Sequence, residues 1–310
     1  MKMQQKNNLQ MTLITSFITL FLLSFNANAD TLAEKVSACT NAMNKGDLVG
    51  AMSAAGEILK LDNKNYDGLL CKGRAQSAKG DYAEALITLE LAAKQAQPGF
   101  EQIISQIFIG NLHKNNNKNA AAIAAYEASI KICETEKNDK FKRINLNLIG
   151  DTQTQNNDFK AALASYQAAA KLAMNDNERA ESFEHIAAAN SALGQNDAAI
   201  EYQLKASMMQ GQSGTREDFA NASLALARYH LQAKDYIAAQ NTYAKLIKFS
   251  QDNGSAYFEA KANYGLAQTK LAAGDNLTAK SLMEDALKLA KSSGEGELAN
   301  EINVSLKKLN

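Results

Sequence analysis

Three histidines and three cysteines are the residues of this sequence best suited to metal binding or nucleophilic chemistry. His113, His185 and His230 are far apart along the chain, and none of them belongs to an H-E-x-x-H metal motif. The sequence also lacks a G-x-S-x-G nucleophile motif and a G-x-x-x-x-G-K-[ST] phosphate loop. We therefore predict a protein that is not an enzyme and that has no catalytic residues, no metal site and no cofactor.

Two of the cysteines are candidates for a structural disulfide bond. Cys39 and Cys71 lie in what we predict to be the first helices of two adjacent helix pairs, so a disulfide between them is a candidate. Such a bond would stabilise the fold by about 3–4 kcal/mol. The alternative is that both are small buried packing residues, because their phases differ by two residues and disulfide geometry is strict. Cys133 takes no part in this candidate bond.

The elements that position these residues follow an N-terminal segment of different character. Residues 1–29 begin with Lys2 and Lys6, contain no acidic residue, and continue into an apolar run that ends in Ala-Asn-Ala. The run is shorter than the roughly 20 residues that a transmembrane helix needs. These features are typical of a secretory signal peptide cleaved after Ala29. We predict a periplasmic protein; a secreted protein, or one anchored by an uncleaved signal, is the alternative.

The balance of charge argues against polyanionic partners. The chain has 33 basic and 33 acidic residues, and cleavage of the signal would remove two of the lysines. Binding to nucleic acid or to an anionic membrane requires concentrated positive charge. No second long apolar segment follows the first. We therefore expect a mature chain that does not bind nucleic acid and is not embedded in a membrane.

One turn pattern recurs seven times after residue 30. Its clearest copy is "AKGDYAEALITLELAA" (78–93), in which Gly80 ends one helix and Asp81 begins the next. An aspartate follows the turn in five of the copies and is predicted to cap the second helix. The turn residues, spaced by 34 to 40 residues, are Gly46, Gly80, Asn117, Asn157, Gly194, Lys234 and Gly274. Five residues after each turn stands an alanine: Ala51, Ala85, Ala122, Ala162, Ala199, Ala239 and Ala279. With a single proline and abundant helix formers, each repeat is predicted to be a pair of closely packed helices.

This repeat resembles the tetratricopeptide repeat in its spacing, its Gly-Asp-Tyr turn and its alanine, from about Thr31 to Lys291. It departs from the family in having Leu69 where an aromatic residue is usual and in lacking the proline after the second helix. The resemblance implies an all-α fold, a right-handed superhelical solenoid of about seven hairpins with a C-terminal capping helix. We place the signal peptide at 1–29 and the solenoid at 30–310, with repeats at about 31–62, 66–96, 100–134, 138–174, 176–209, 216–251 and 255–291 and the capping helix at 297–308.

The resemblance also implies a binding surface, because stacked repeats of this family usually bind ligands on the concave face formed by their first helices. Distance from each turn selects the candidate residues of that face: Arg74, Asn111, Lys114, Asn147, Asp151, Arg228 and Gln268. The alternative for each of them is a solvated helix face. His113 and His230, which share a phase four residues before the turn, are interpreted as packing residues.

Together these observations favour a non-enzymatic scaffold that binds a protein or peptide of the bacterial cell envelope. An assembly factor for an outer-membrane, secretion or pilus machine is an alternative. An accessory subunit of an envelope enzyme and a self-associating structural protein are further alternatives.

Overall fold

The computed structural model describes residues 32–309, and within this range every regular element is an α-helix, which confirms the predicted all-α class. The predicted signal peptide lies outside the described residues. No helix in the described part of the chain is both long and apolar enough to span a membrane. The chain divides into two compact units, one ending at Lys137 and the other beginning at Asn138.

The described part of unit 1 contains six helices in three pairs. They are α1 (32–44), α2 (Leu48–Leu61), α3 (Tyr66–Lys79), α4 (Tyr82–Gln95), α5 (Phe100–Asn115) and α6 (Asn119–Thr135). Unit 2 contains four pairs and a last single helix. They are α7 (Asp139–Gln155), α8 (Phe159–Ala170), α9 (Asp176–Ala192), α10 (Asn196–Ser213), α11 (Arg216–Gln232), α12 (Tyr236–Asp252), α13 (Ala256–Ala272), α14 (Asn276–Ser292) and α15 (Gly296–Leu309). The pairs are numbered 1 to 7 below.

All seven predicted turn residues adopt the left-handed backbone conformation. Their φ angles lie between +56° at Asn117 and +88° at Gly274. This conformation ends a helix and reverses the chain. It favours glycine, which has no Cβ atom to crowd the backbone, and asparagine, whose short polar side chain can hydrogen-bond locally. Lys234 also adopts it, with φ of +61°, although it has neither advantage.

Four of the five aspartates that follow these turns cap the second helix as predicted. The carboxylates of Asp47, Asp158, Asp235 and Asp275 each accept a hydrogen bond from the backbone N–H three residues further on, at 2.8–3.2 Å. Asp81 makes no such bond, so the prediction is wrong for the copy in which the motif is clearest. Its carboxylate instead lies 3.7 Å from Lys79 Nζ.

Small residues bring the two helices of a pair together. The alanine five residues after the turn is completely buried in all seven pairs. In three pairs a glycine of the first helix also faces a large side chain of the second: Gly73 faces Leu89, Gly110 faces Tyr126, and Gly150 faces Tyr166. A Cβ atom on any of these glycines would overlap that side chain. The close packing of the two helices therefore requires a residue without a Cβ atom.

The first two pairs of unit 1 are joined through their first helices. The structure places Cys39 and Cys71 in a disulfide, with Cα atoms 6.4 Å apart, inside the range that this bond spans. Both residues are buried, together with Ala51, Ala55 and Ala75. The bond therefore fastens α1 to α3 within an apolar cluster.

Helix α15 covers the apolar end of unit 2. Leu298, Ala299 and Ile302 are buried against Tyr264 of α13 and Met283 of α14. The hydroxyl groups of Ser305 and Tyr264 also form a hydrogen bond of 2.7 Å. The polar outer face of α15 includes Glu297 and Lys308, both exposed. This is the terminal cap that a stack of repeats needs.

Candidate functional site

The histidines have packing environments. His113 Nδ1 lies 2.9 Å from the hydroxyl of Tyr82, and burial together with nearby Lys118 lowers the pKa of its imidazole. Burial also lowers the pKa of His230, against the opposing effect of Asp235. His185 stacks on the ring of Tyr166, with centroids 4.7 Å apart. In the part of the chain that the structure describes, no group of three or more His, Cys, Asp or Glu side chains is arranged to hold a metal ion.

Two of the predicted surface residues meet in a cleft of unit 1. This cleft has a volume of about 260 Å³, and Arg74 and Asn111 line it with Phe108 and Leu89. The guanidinium carbon of Arg74 lies 4.6 Å from the centroid of the Phe108 ring, a cation–π contact. Partial burial lowers the pKa of Arg74. The Oδ1 atom of Asn111 accepts a 2.7 Å hydrogen bond from the hydroxyl of Tyr126, so its side chain is held in one orientation. Lys114, one turn further along α5, is not among the residues that line this cleft.

Asn147 and Asp151 lie one turn apart on α7 of unit 2. Neither of them lines the cleft of unit 1 or the cleft of unit 2 that Arg228 lines. Asp151 Oδ1 accepts a 2.9 Å hydrogen bond from the hydroxyl of Tyr166, as Asn111 does from Tyr126. Asn147 is 9% exposed, and its buried Oδ1 atom has no hydrogen-bond partner among the described residues. Packing within the unit has therefore buried Asn147, which the helical phase alone placed on an open face.

A buried arginine lies four residues before Asn147. Arg143 is 7% exposed, and its Nη1 atom donates a 2.7 Å hydrogen bond to Glu181 on α9. Its Nε atom lies 3.3 Å from a carboxylate oxygen of Glu178 but is not aligned for a hydrogen bond. Both glutamates lie on the next first helix, so the ion pairs join α7 to α9. Sequence reasoning missed this arginine because the two carboxylates that it contacts belong to a different helix.

Arg228 and Gln268 meet in the second cleft, which lies in unit 2 and has a volume of about 340 Å³. Residues of α11, α12, α13 and α15 line it. Lys261 and Asn221 add polar groups, and Leu224, Tyr264 and Leu298 add apolar surface. Glu301 of α15 contributes a carboxylate. Like the cleft of unit 1, this one joins an arginine and an amide that the repeat register selected.

The floor of the unit 2 cleft departs from the repeat pattern. Tyr126 and Tyr166 each cover the glycine of their own pair, whereas Tyr243 of pair 6 covers Gly265 of pair 7. The position equivalent to those glycines in pair 6 is Ala227, which is completely buried. We infer that its methyl group closes the usual place for the tyrosine ring. Ala227 and Gly265 are visible in the sequence, but they predict the position of the Tyr243 ring only when the neighbouring helices are known.

Comparison with protein families and known proteins identifies the repeat. Residues 105–136, which include most of α5 and all of α6, match the Tetratricopeptide repeat. A comparison with curated protein sequences gave no match.

The fold is similar to those of solved structures over most of the chain. The C-terminal part of a TPR repeat-containing protein from Cytophaga hutchinsonii is 14% identical with a TM-score of 0.61, over 82% of this chain and 95% of that one. The apo form of RapI is 12% identical with a TM-score of 0.62, over 91% and 96%. A Rap protein complexed with Competence and Sporulation Factor is 13% identical with a TM-score of 0.50, over 83% and 79%. At these identities the likeness concerns the fold, and with the matched repeat it confirms the resemblance that the sequence predicts.

Proposed function

We propose that this tetratricopeptide-repeat protein is a non-enzymatic scaffold that binds a protein or peptide of the bacterial cell envelope. The carrying observation is that the repeat register selects residues that line clefts in both units. Arg74 and Asn111 meet in unit 1, and Arg228 and Gln268 meet in unit 2. Each cleft combines a guanidinium group, an amide and an aromatic surface, the groups that recur where proteins recognise one another.

Similar folds support the binding part of this proposal. One such fold, the Rap protein, was solved in complex with Competence and Sporulation Factor. The envelope part rests on residues 1–29, whose basic start, apolar run and Ala-Asn-Ala end are those of an export signal. The Cys39–Cys71 disulfide is in keeping with an oxidising compartment.

The location is tested by expressing the full chain in a Gram-negative host and fractionating the cells. We expect the protein in the periplasmic fraction, with intact mass and N-terminal sequence showing that it begins at Asp30. A chain that keeps residues 1–29 and stays with the cytoplasm would contradict the envelope assignment.

Binding is tested by crosslinking the purified chain 30–310 in periplasmic and membrane extracts, followed by identification of the captured proteins. The variant Arg74→Ala removes the cation–π contact of the unit 1 cleft and should reduce capture of the specific partner at least tenfold. Lys131→Ala is the matched control, since it removes one exposed positive charge from a second helix of the same unit. Both variants should stay folded: Lys131→Ala should keep the melting temperature of the parent chain, and Arg74→Ala should lower it by only a few degrees, because the lost cation–π contact contributes about 0.5–1 kcal/mol.

Two results would contradict the proposal. One is that no protein is captured above the level seen with an unrelated exported protein. The other is that Arg74→Ala and Lys131→Ala capture the same proteins in the same amounts.

A further inference from the structure

We propose that the Cys39–Cys71 disulfide is a redox-sensitive brace that controls the unit 1 cleft. While the bond is intact, it holds α1 against α3, and α1 forms part of the wall of that cleft. Reduction of the bond releases α1 and opens the wall. This inference rests on the proposed function, because it assigns a means of regulation to one of the two binding clefts.

The first observation is the place where α1 meets the cleft. Met43 of α1 lines the cleft together with Ala78 of α3. Met43 lies four residues after Cys39, so the two side chains project from one face of α1. Cys71, Ala75 and Ala78 share one face of α3 at the same helical spacing. The disulfide and the cleft wall therefore belong to one contact between α1 and α3.

The second observation is that packing alone gives α1 little hold on the rest of unit 1. Among its residues, 32–44, Cys39 is the one whose side chain is buried in the described structure. Met43 is partly buried against the same apolar cluster. The other buried members of this cluster are small: Ala51, Ala55, Cys71 and Ala75. Small side chains bury little apolar area, so they contribute little to the docking of α1.

Polar contacts add little to this hold. Lys35 Nζ lies 3.6 Å from a carboxylate oxygen of Glu57 on α2, and both side chains are partly exposed. Ion pairs in such surroundings contribute little to stability. Helices of fewer than about 15 residues are also marginal in water without packing. A terminal helix with so few buried contacts opens easily, and the disulfide is the contact that prevents it.

Reduction of the bond requires that α1 moves. Cys39 is 3% exposed and Cys71 4%, so a reductant reaches neither sulfur while α1 is docked. When α1 opens, a thiolate of a thiol–disulfide oxidoreductase attacks one sulfur and forms a mixed disulfide, and the other sulfur leaves as a thiolate that takes up a proton. The second cysteine of the reductant then attacks the mixed disulfide. This chain ends with two thiols, and the reductant ends with a disulfide.

The oxidation state and the occupancy of the cleft are therefore coupled. A partner in the unit 1 cleft contacts Met43 and stabilises the docked form of α1. Because coupling between two sites is reciprocal, binding of the partner opposes reduction, and reduction weakens binding. The unit 2 cleft, whose lining contains no cysteine, is not under this control.

The first test follows α1 in the chain 30–310, with and without dithiothreitol, by hydrogen exchange and by NMR of ¹³C-methyl methionine. On reduction, the hydrogen-bonded amides of α1 should exchange at least a hundredfold faster, because the bond joins residues 32 positions apart in the sequence. The Met43 methyl signal should move to the position of a solvated methionine. The amides of α5 and the methyl signal of Met283, which is buried in unit 2, should not change.

Variants separate the release of α1 from a general loss of folding. The double variant Cys39→Ser, Cys71→Ser should behave without reductant as the reduced chain does. Met43→Ala should keep the disulfide but weaken capture of the protein that the oxidised chain crosslinks at least threefold. Its matched control is Met52→Ala, since Met52 packs on the same apolar cluster but does not line the cleft. Reduction of the parent chain should weaken capture at least tenfold.

The inference is overturned if the α1 amides exchange at the same rate in the oxidised and reduced chains, or if the α5 amides lose protection together with those of α1. Equal capture of the same protein by the two forms would also overturn it. Failure of the proposed function is recognised separately, because the oxidised chain then captures no partner, while the exchange rates still decide whether the disulfide holds α1 in place.

Discussion

The ring of Tyr126 fills the space beside Gly110 that a side chain would occupy, and its Cδ1 atom lies 2.7 Å from the place of a Cβ atom. The second helix of pair 3 packs against its first helix at this point. Ring and glycine are both buried, and the ring is anchored by its hydrogen bond to Asn111. The contact between the Tyr126 ring and Gly110 therefore requires that residue 110 has no Cβ atom.

Gly110→Ala should destabilise the chain by about 1–3 kcal/mol, because the added methyl group must displace a buried ring. The control is Gly56→Ala in α2 of the same unit, where no other atom lies within 4 Å of a new Cβ. That variant should be more stable by about 0.5–1 kcal/mol, as is usual for glycine to alanine inside a helix. Urea denaturation measures both. A shift of the two variants in the same direction would contradict the packing described here.

Lys234→Gly should stabilise unit 2. Lys234 adopts a left-handed φ of +61°, which costs a side-chain-bearing residue about 1–2 kcal/mol. Glycine avoids that cost but loses more entropy on folding, so the net gain is about 0.5–1 kcal/mol. Lys234→Ala serves as the control, because it removes the charge and keeps the Cβ atom. If the alanine variant gains as much stability as the glycine variant, backbone conformation is not the cause.

Reduction of the Cys39–Cys71 disulfide should lower the stability of unit 1 by about 3–4 kcal/mol. Thiol titration of the denatured, unreduced chain should detect one thiol, that of Cys133, and three after reduction. The double variant Cys39→Ser, Cys71→Ser should unfold identically with and without reductant. Three reactive thiols before reduction would show that the bond does not form.

Glu184→Gln should raise the free energy of unfolding at pH 7. Burial, followed by the nearby charges of Asp218 and Glu181, raises the pKa of Glu184 above its ordinary value of 4.5, although a hydrogen bond with Gln210 opposes the shift. The folded state therefore favours the protonated carboxyl. Its stabilisation is complete below pH 4.5 and is lost as the pH rises through the raised pKa.

The gain from Glu184→Gln should accordingly disappear as the pH falls towards 4. The control is Glu284→Gln on the exposed face of α14, whose effect should not vary with pH. Denaturant unfolding between pH 4 and 7 gives both profiles. An equal effect of Glu184→Gln at the two ends of this range would contradict the raised pKa.

Local signals in the sequence predicted most of the helical architecture. Turn residues such as Gly80 and Asn157 are recognisable because the left-handed conformation is a local property of the backbone. The alanine in each second helix is recognisable because one close contact recurs at one phase. The prediction that Asp81 caps α4 was wrong, although the Gly-Asp-Tyr motif is complete there. A side chain next to a helix start can also turn elsewhere, and Asp81 lies near Lys79.

The candidate site was predictable only in part, because the repeat register places residues on helix faces without saying what lies opposite. It selected Arg228 and Gln268 from two different first helices, and the structure places both in one cleft. It could not show that Phe108 would lie under Arg74, or that Asn147 would be buried. These contacts depend on side chains from other repeats, whose positions follow from packing rather than from spacing.

The ring of Tyr243 belongs to pair 6 and fills a space in pair 7, beside Gly265. In an array whose pairs bury only their own tyrosines, the terminal pair can open while its neighbour stays folded. Here, opening pair 7 would uncover an aromatic ring at the centre of pair 6. The backbone amides of α12 and α13 should therefore exchange with solvent in one concerted opening, so that the C-terminal end of unit 2 unfolds as a block of two repeats.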